Sequence, residues 1–245
     1  MIEQNWKIDE FNLYWDKHLV QTSLRPFIRK MVETKNTIKW FNQTRFEKIW
    51  NINQPRTINW ESTWHNIFNC KKFTKSSRVF NSVYDRSYKI KLLMNELPTL
   101  ETLHKRNPKL YTDSMCPRCQ ENNEDQIHIW MCSANKTSVT EISHIEIHSM
   151  LEKIKNKEKN SNNNKETINY QALKLRLLNL PYFNHNNEAC TLVLLRGFVP
   201  SEIQTCLEEQ KIPKSKISKL AKSLCKKILE KSKEKIWKER CDSVI

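Results

Sequence analysis

The chain has 245 residues, 38% of them hydrophobic and 28% charged, which fits one large or two modest globular domains and excludes a disordered tail. Gly197 is the only glycine, where about 17 would be usual at a frequency of about 7%, so the glycine-rich phosphate loops of dinucleotide-binding folds, P-loop enzymes and kinases are excluded. The 42 Lys and Arg residues exceed the 27 Asp and Glu residues by 15, which indicates a polyanionic partner, with nucleic acid as the first candidate.

The scarcity of glycine also argues against a strand-rich fold, because tight hairpins need residues with positive φ. We therefore predict a mainly α protein, an irregular multi-helix bundle with one small zinc knuckle. Residues 1–56 form its N-terminal helical segment, which breaks at Pro55. Apolar residues at helical spacing mark the second helix of this segment: Ile38, Phe41, Ile49 and Trp50.

The next region, 57–155, is predicted to be helical and to carry the knuckle. The apolar face of its first helix is expected to pack in the core and consists of Trp60, Trp64, Ile67 and Phe68. A longer helix over about 77–97 has as its inward residues Val79, Val83, Ile90, Leu93, Met94 and Leu97. Its outer face is basic and presents Arg78, Arg86, Lys89 and Lys91. Pro98 ends this helix, and Thr99 caps a short one that follows.

Beyond the knuckle, Ser138 and Glu141 form a capping-box pair that begins a helix of about twenty residues. The polar run 156–166 is too hydrophilic to pack and is predicted to be a linker. The C-terminal helical region, 167–245, then contains several elements. These are a helix at about 170–180, an apolar run at 189–198, a helix begun by the pair Ser201 and Gln204, and a long basic helix at about 214–242. The apolar side of the last helix consists of Ile217, Leu220, Leu224, Ile228 and Ile236.

The residues that carry chemistry lie in the segment 116–132, called the knuckle below, with the spacing Cys-x2-Cys-x8-His-x3-Cys. Cys116 and Cys119 can direct two thiolates from one tight turn at a single ion, and His128 and Cys132 lie one helical turn apart. Zinc prefers such a tetrahedral set of sulfur and nitrogen ligands. Four protein ligands leave no position for water, so we predict a structural Zn²⁺ site and no catalytic residue.

Other interpretations of the Cys and His residues stay open. The knuckle thiols could be buried pairs without a metal. His144 and His148, with Glu146 between them, could form a second site or replace a ligand, although a solvated helix face also explains them and the order differs from His-Glu-x-x-His. The remaining cysteines are spaced singly and are interpreted as small buried hydrophobes: Cys70, Cys190, Cys206, Cys225 and Cys241.

Several segments resemble the reverse-transcriptase zinc-binding region, which lies downstream of the polymerase in non-LTR retrotransposons and is frequent in fungal genomes as free-standing fragments. They are Pro55-Arg56-Thr57-Ile58-Asn59-Trp60-Glu61, Leu97-Pro98-Thr99, Cys116-Pro117-Arg118-Cys119 and His128-Ile129-Trp130-Met131-Cys132. The ending Lys235-Ile236-Trp237-Lys238-Glu239-Arg240-Cys241 is similar to that of such fungal polypeptides. The resemblance covers about 55–132. It implies that the knuckle region grips template RNA or target DNA and that its zinc ligands are Cys116, Cys119, His128 and Cys132.

The carboxylates argue against an enzyme. A polymerase palm holds two metal ions with paired aspartates, whereas the six Asp residues are isolated at Asp9, Asp16, Asp85, Asp113, Asp125 and Asp242. An RNase H would need four carboxylates clustered on a glycine-bearing sheet, and the sequence suggests no such sheet. We therefore expect a chain without polymerase or RNase H activity.

Two basic groups are the predicted nucleic-acid contacts. Residues 211–240 contain twelve Lys and Arg against three Glu, a balance of +9, which is dense enough for a polyanion site but also fits a solvated helix face. The second group lies around the knuckle beside Tyr111 and Trp130. Aromatic side chains can stack unpaired bases, although Trp130 also fits the small core of the knuckle itself. The predicted contacts are Lys105, Arg106, Lys109, Arg118, Lys136, Lys226 and Lys227.

The sequence thus predicts a zinc-binding, non-catalytic remnant of a non-LTR retroelement polyprotein that binds single-stranded RNA or DNA. The alternative is a zinc-stabilised protein–protein interaction module, with a polymerase domain or another protein as its partner. The longest apolar stretch, around 192–195, is far shorter than the roughly 20 residues of a membrane span, and the first residues lack a signal-peptide pattern. We expect an intracellular protein, nuclear or cytoplasmic, with no membrane partner.

Overall fold

The computed structural model describes residues 14–15, 18–19, 23–50, 57–68, 78–159, 168–184, 187–210 and 212–243. The described residues are mainly helical, which confirms the predicted fold class. The chain divides into two compact units, 1–47 and 48–245. The first unit contains a short antiparallel strand pair, β1 (Tyr14–Trp15) and β2 (His18–Leu19), and the 18-residue helix α1 (Leu24–Phe41).

None of the α1 side chains is buried. The helix has an apolar stripe of residues that are each about half exposed, namely Leu24, Ile28, Val32 and Ile38. After α1, a 3-10 turn at Thr44–Phe46 brings the Phe46 ring to 4.3 Å from the Trp40 ring, measured between centroids. The short helix α2 (Glu47–Trp50) follows at the boundary of the two units.

The second unit is built mainly from helices. The helices are α3 (Trp60–Phe68), α4 (Arg78–Leu93), α5 (Leu100–Arg106), α6 (His128–Met131), α7 (Val139–Lys159), α8 (Tyr170–Leu178), α9 (Glu188–Leu195), α10 (Ser201–Glu208), α11 (Lys214–Ser232) and α12 (Lys238–Asp242). A 3-10 turn at Pro181–Phe183 precedes α9. A π-helical segment, Lys233–Trp237, joins α11 to α12 without a break, so the predicted terminal helix at about 214–242 is confirmed.

The core of this unit forms around α9 and α11. Every residue from Cys190 to Leu195 is buried, as expected of an apolar helix surrounded by other helices. The helix α11 contacts α3, α7, α9 and α10, and its buried side begins at Ile217 and continues through Leu224 and Ile228. Because one side of α11 packs on four other helices, its opposite side faces water. The exposed side carries most of the lysines of α11.

The helix α3 differs in part from the prediction. Ile67 is buried as predicted, but Trp60 and Trp64 are only half buried, in an aromatic cluster with ring centroids 5.6 Å apart. Polar side chains take the buried positions instead, and their hydrogen bonds make this possible. The Thr63 hydroxyl donates to the carbonyl of Asn59 at 2.8 Å and accepts the backbone N–H of Val199 at 3.0 Å.

Three further details of the prediction are wrong. Ile90 is 37% exposed, whereas Lys89 is 5% exposed because its ammonium group lies 3.1 Å from the Asp85 carboxylate. The helix α10 begins after Pro200, and the Ser201 hydroxyl donates to the Thr57 carbonyl instead of capping the helix. The helix α7 continues to residue 159, into the predicted linker, and residues 160–167 lie outside the described residues.

The other two local caps predicted for this unit are confirmed. The Thr99 side chain accepts the backbone N–H of Thr102 and caps α5. Ser138 and Glu141 exchange hydrogen bonds at the start of α7, with each side chain accepting the backbone N–H of the other residue. Within the described part of the chain, no helix is long and apolar enough to cross a membrane.

The single glycine ends α9. Gly197 has φ +87°, in the left-handed region that side chains rarely adopt, and its N–H donates to the carbonyl of Leu194. A Cβ at this position would meet Ile67 Cγ1 at 3.6 Å, which is ordinary contact. The backbone angle, and not the available space, therefore explains the glycine.

We predict that Gly197→Ala lowers the free energy of unfolding by about 1–2 kcal/mol, because the cost arises from the left-handed backbone alone. Urea denaturation followed by circular dichroism measures the change. Gly197→Asn is the matched control and should cost less, since Asn tolerates positive φ better than Ala. An alanine variant as stable as the original chain would contradict the prediction.

Candidate metal centre

The first two candidate ligands lie in a tight turn. Met115 and Asn123 form an antiparallel bridge, and the N–H of Cys116 donates to the carbonyl of Asn122 at 2.8 Å. The chain turns back between them, with the N–H of Gln120 donating to the Cys116 carbonyl at 2.9 Å and Gln120 in the left-handed region at φ +57°. This turn brings the thiols of Cys116 and Cys119 to the same side.

The other two candidate ligands are placed by the one-turn helix α6. Its start is fixed by Asp125, whose carboxylate accepts the backbone N–H groups of Ile127 at 2.9 Å and His128 at 2.6 Å. His128 is the first residue of α6, and Cys132 follows its last residue. The two side chains therefore project from the same face, one turn apart, as the His-x3-Cys spacing predicts.

The four ligand atoms lie close enough to hold one metal ion, since all are within 4.8 Å of one another. The sulfurs of Cys116 and Cys132 are 3.8 Å apart, and the Cys119 sulfur is 3.3 Å from Nε2 of His128. A zinc ion with Zn–S bonds of about 2.3 Å in a tetrahedron places two sulfurs about 3.8 Å apart. The donor set and its spacing therefore fit a tetrahedral metal.

The thiols occupy different environments. Cys116 and Cys132 are buried, whereas Cys119 and His128 are half buried. The backbone N–H of Glu121 donates to the Cys119 sulfur and is the main reason that the pKa of this thiol falls to about 6. Burial raises the pKa of the Cys132 thiol to about 11. A cation at the centre would offset this burial cost by stabilising the thiolate form.

A buried ion pair attaches the knuckle to the end of the chain. Glu124 is fully buried, and its carboxylate accepts Nε of Arg240 at 2.9 Å and a second, shorter bond from Nη2. The same carboxylate accepts the N–H of Leu100, the first residue of α5, at 3.0 Å. Burial lowers the pKa of Arg240, but the hydrogen bond and charge of Glu124 outweigh it and raise this pKa. Glu124 therefore joins three segments that lie far apart in sequence.

Sequence reasoning missed Glu124 and Arg240. The two residues are 116 positions apart, and neither the knuckle motif nor the ending that contains Arg240 indicates that they pair. The only sequence signal is that Arg240 follows the apolar residues Ile236 and Trp237 on the last helix, which does not identify a partner.

The predicted contact Arg118 is engaged within the knuckle. Its guanidinium donates to the Ile129 carbonyl at 3.1 Å and to the Asn135 side chain through a shorter bond. The Asn135 amide in turn donates to the Trp130 carbonyl at 3.1 Å. The Trp130 ring is 2% exposed, so it packs in the knuckle core, which confirms that interpretation.

The other six predicted nucleic-acid contacts are spread over α5, α11 and two loop positions, and five of them are close to carboxylates. The ammonium or guanidinium nitrogens are within 4.0 Å of a carboxylate in the pairs Lys105–Glu101, Arg106–Glu96, Lys136–Glu239, Lys226–Glu230 and Lys227–Glu146. The seventh residue, Lys109, is exposed in the turn after α5. Pairs that are largely exposed contribute little to stability, but each carboxylate lowers the local positive potential.

His144 and His148 are exposed on α7, and among the described residues the metal cluster contains only the four knuckle ligands. The separately spaced cysteines are buried at Cys190, Cys206 and Cys225 and half buried at Cys241. Cys70 lies outside the described residues. No protein-family model, curated protein or solved structure matches the chain.

We predict that Glu124→Gln lowers the free energy of unfolding by about 3–5 kcal/mol, because Arg240 would keep its charge in a buried position without a counter-charge. Urea denaturation at pH 7 measures the loss. Glu121→Gln, an exposed change in the same loop, should be nearly neutral.

The double variant Glu124→Leu with Arg240→Met tests the cause of that loss, because it removes both charges and leaves apolar side chains. It should regain most of the stability lost by Glu124→Gln. A double variant less stable than Glu124→Gln would show that the hydrogen bond to Leu100, and not the unpaired charge, is responsible.

Proposed function

We propose that this chain is a zinc-stabilised, non-catalytic protein that binds single-stranded RNA or DNA. The observation that carries the metal assignment is the set of three sulfurs and one imidazole nitrogen within 4.8 Å of one another. Soft thiolates with imidazole favour zinc over magnesium or calcium. All four tetrahedral positions would be filled by protein, which leaves none for a reacting water and makes the proposed role structural.

The nucleic-acid assignment is supported by charge. A surplus of 15 positive charges attracts polyanions at long range and slows association with other cationic molecules. Origin from the region downstream of a reverse transcriptase in a non-LTR retroelement belongs to the same proposal, and the motifs between about 55 and 132 support it. A chain of this kind would hold template or target strands while a separate polymerase works.

The second candidate function is a zinc-stabilised protein–protein interaction module. The observation in its favour is the apolar stripe of α1, in which Leu24, Ile28, Val32 and Ile38 are each about half exposed. A partner protein, such as a polymerase domain, could cover such a stripe. Five of the seven predicted nucleic-acid contacts also lie beside carboxylates, which weakens their attraction for phosphate.

The metal assignment predicts one zinc ion per chain in native mass spectrometry, and its loss in Cys119→Ser. Loss of zinc should also speed amide exchange in the knuckle and at Glu101, whose N–H donates to the Glu124 carbonyl. Cys206→Ala, which changes a cysteine outside the cluster, should retain zinc and normal exchange. A metal-free chain with a protected knuckle would contradict the assignment.

The binding assignment predicts that affinity for a single-stranded RNA falls steeply with salt, with a log–log slope of about −0.7 for each neutralised phosphate. Filter binding between 50 and 200 mM salt measures this slope for RNA and DNA. A flat response at low affinity would contradict the assignment and favour the protein-interaction module.

A further inference from the structure

The helix α11 begins inside a stretch without acidic residues. Residues 211–229 contain seven Lys and no Asp or Glu. The first part of α11 carries Lys214, Lys216 and Lys219, which are exposed, and Lys222, which is half buried. Among the described residues, no carboxylate lies within 4.0 Å of any of these four ammonium groups. Three of them, Lys216, Lys219 and Lys222, repeat every three residues along one side of the helix, and we call these three residues the α11 lysine row.

The rest of the terminal helix is different. Four of its six lysines lie beside carboxylates, in the pairs Lys226–Glu230, Lys227–Glu146, Lys231–Glu234 and Lys233–Asp85. The hydrogen bond and charge of Lys231 are the main reason that the pKa of Glu234 is lowered, and Lys238 and Lys235 lower it further. The dense positive charge seen in the sequence is therefore partly neutralised after Lys222 and is retained before it.

The α11 lysine row is held on a rigid support. The opposite side of the helix packs in the core through Ile217 and Ala221. The Asn66 side chain of α3 donates to the carbonyl of Lys222 at 3.1 Å, and the hydroxyls of Ser62 and Ser218 are 3.4 Å apart. The row extends about 9 Å along the axis at 1.5 Å per residue. Fixed backbone positions with flexible ammonium ends suit a row of phosphates.

We propose that the α11 lysine row contacts the sugar-phosphate backbone of a single nucleic-acid strand. This inference rests on the proposed function and places its main contact surface on α11 rather than at the lysines near the knuckle. Unpaired ammonium groups release counterions from phosphates without first breaking an ion pair with the protein. A single row on one helix follows one backbone, and ammonium groups that contact only phosphates confer no base preference.

The test compares two variants of the full chain with equal loss of charge. The row variant is Lys216→Gln, Lys219→Gln and Lys222→Gln. The control variant is Lys226→Gln, Lys227→Gln and Lys231→Gln, on the same helix, where each ammonium group lies within 4.0 Å of a carboxylate. Each lowers the net charge by three, from +15 to +12. Circular dichroism and zinc content establish that both variants are folded.

For a single-stranded RNA of mixed sequence, we expect the log–log salt slope of the row variant to be shallower by about 2, because three phosphate contacts are lost. When salt is raised from 50 to 200 mM, the affinity of the original chain should therefore fall by a factor roughly 20 times larger than the affinity of the row variant. The control variant should lose less than one contact, a slope change below about 0.7.

Each other outcome overturns a defined part of the proposal. Equal slopes in the two variants would show that only total charge matters and would overturn the role of the row while leaving the proposed function intact. Binding of the original chain without salt dependence would overturn both. A tighter, row-dependent affinity for duplex of equal length would overturn the single-strand assignment, and equally tight binding of polyglutamate would overturn the nucleic-acid assignment.

Discussion

The buried carboxylate of Glu124 joins the knuckle to the start of α5 and to the last helix. It accepts hydrogen bonds from Arg240 near the chain end and from the N–H of Leu100 at the start of α5, while its own backbone continues into the knuckle. A charge in such a position is tolerated only when its partners are fixed. The Glu124 carboxylate therefore couples the geometry of the candidate ligand cluster to the position of the terminal helix.

The cluster of four candidate metal ligands was predictable because the signal for it is local. The spacing of Cys116, Cys119, His128 and Cys132 within 17 residues is enough to bring four donors to one point, and the helix caps at Thr99 and Ser138 are equally short-range. Helical periodicity likewise identified the terminal helix, since its apolar side repeats regularly over many turns.

The tertiary partners were not predictable from the same signals. Lys89 is buried because its ammonium group pairs with Asp85 and donates to the Asn66 carbonyl of α3 at 3.4 Å, whereas periodicity places it on an outer face. The charge density of the sequence identified the basic terminal helix, but it did not show which of its lysines have carboxylate partners. The carboxylate that pairs with Lys227 comes from Glu146 on another helix, so only the structure separates paired from unpaired lysines.

The π-helical segment between α11 and α12 sets the direction in which the final turn faces. Within it the N–H of Lys238 donates to the carbonyl of Lys233, five residues back, so this turn holds more residues than an α-helical one. One residue corresponds to about 100° of rotation around a helix axis. A regular helix with one residue fewer here would direct the Arg240 guanidinium away from the knuckle. The wide turn therefore allows one continuous helix to pack its apolar side in the core and also to place Arg240 beside Glu124.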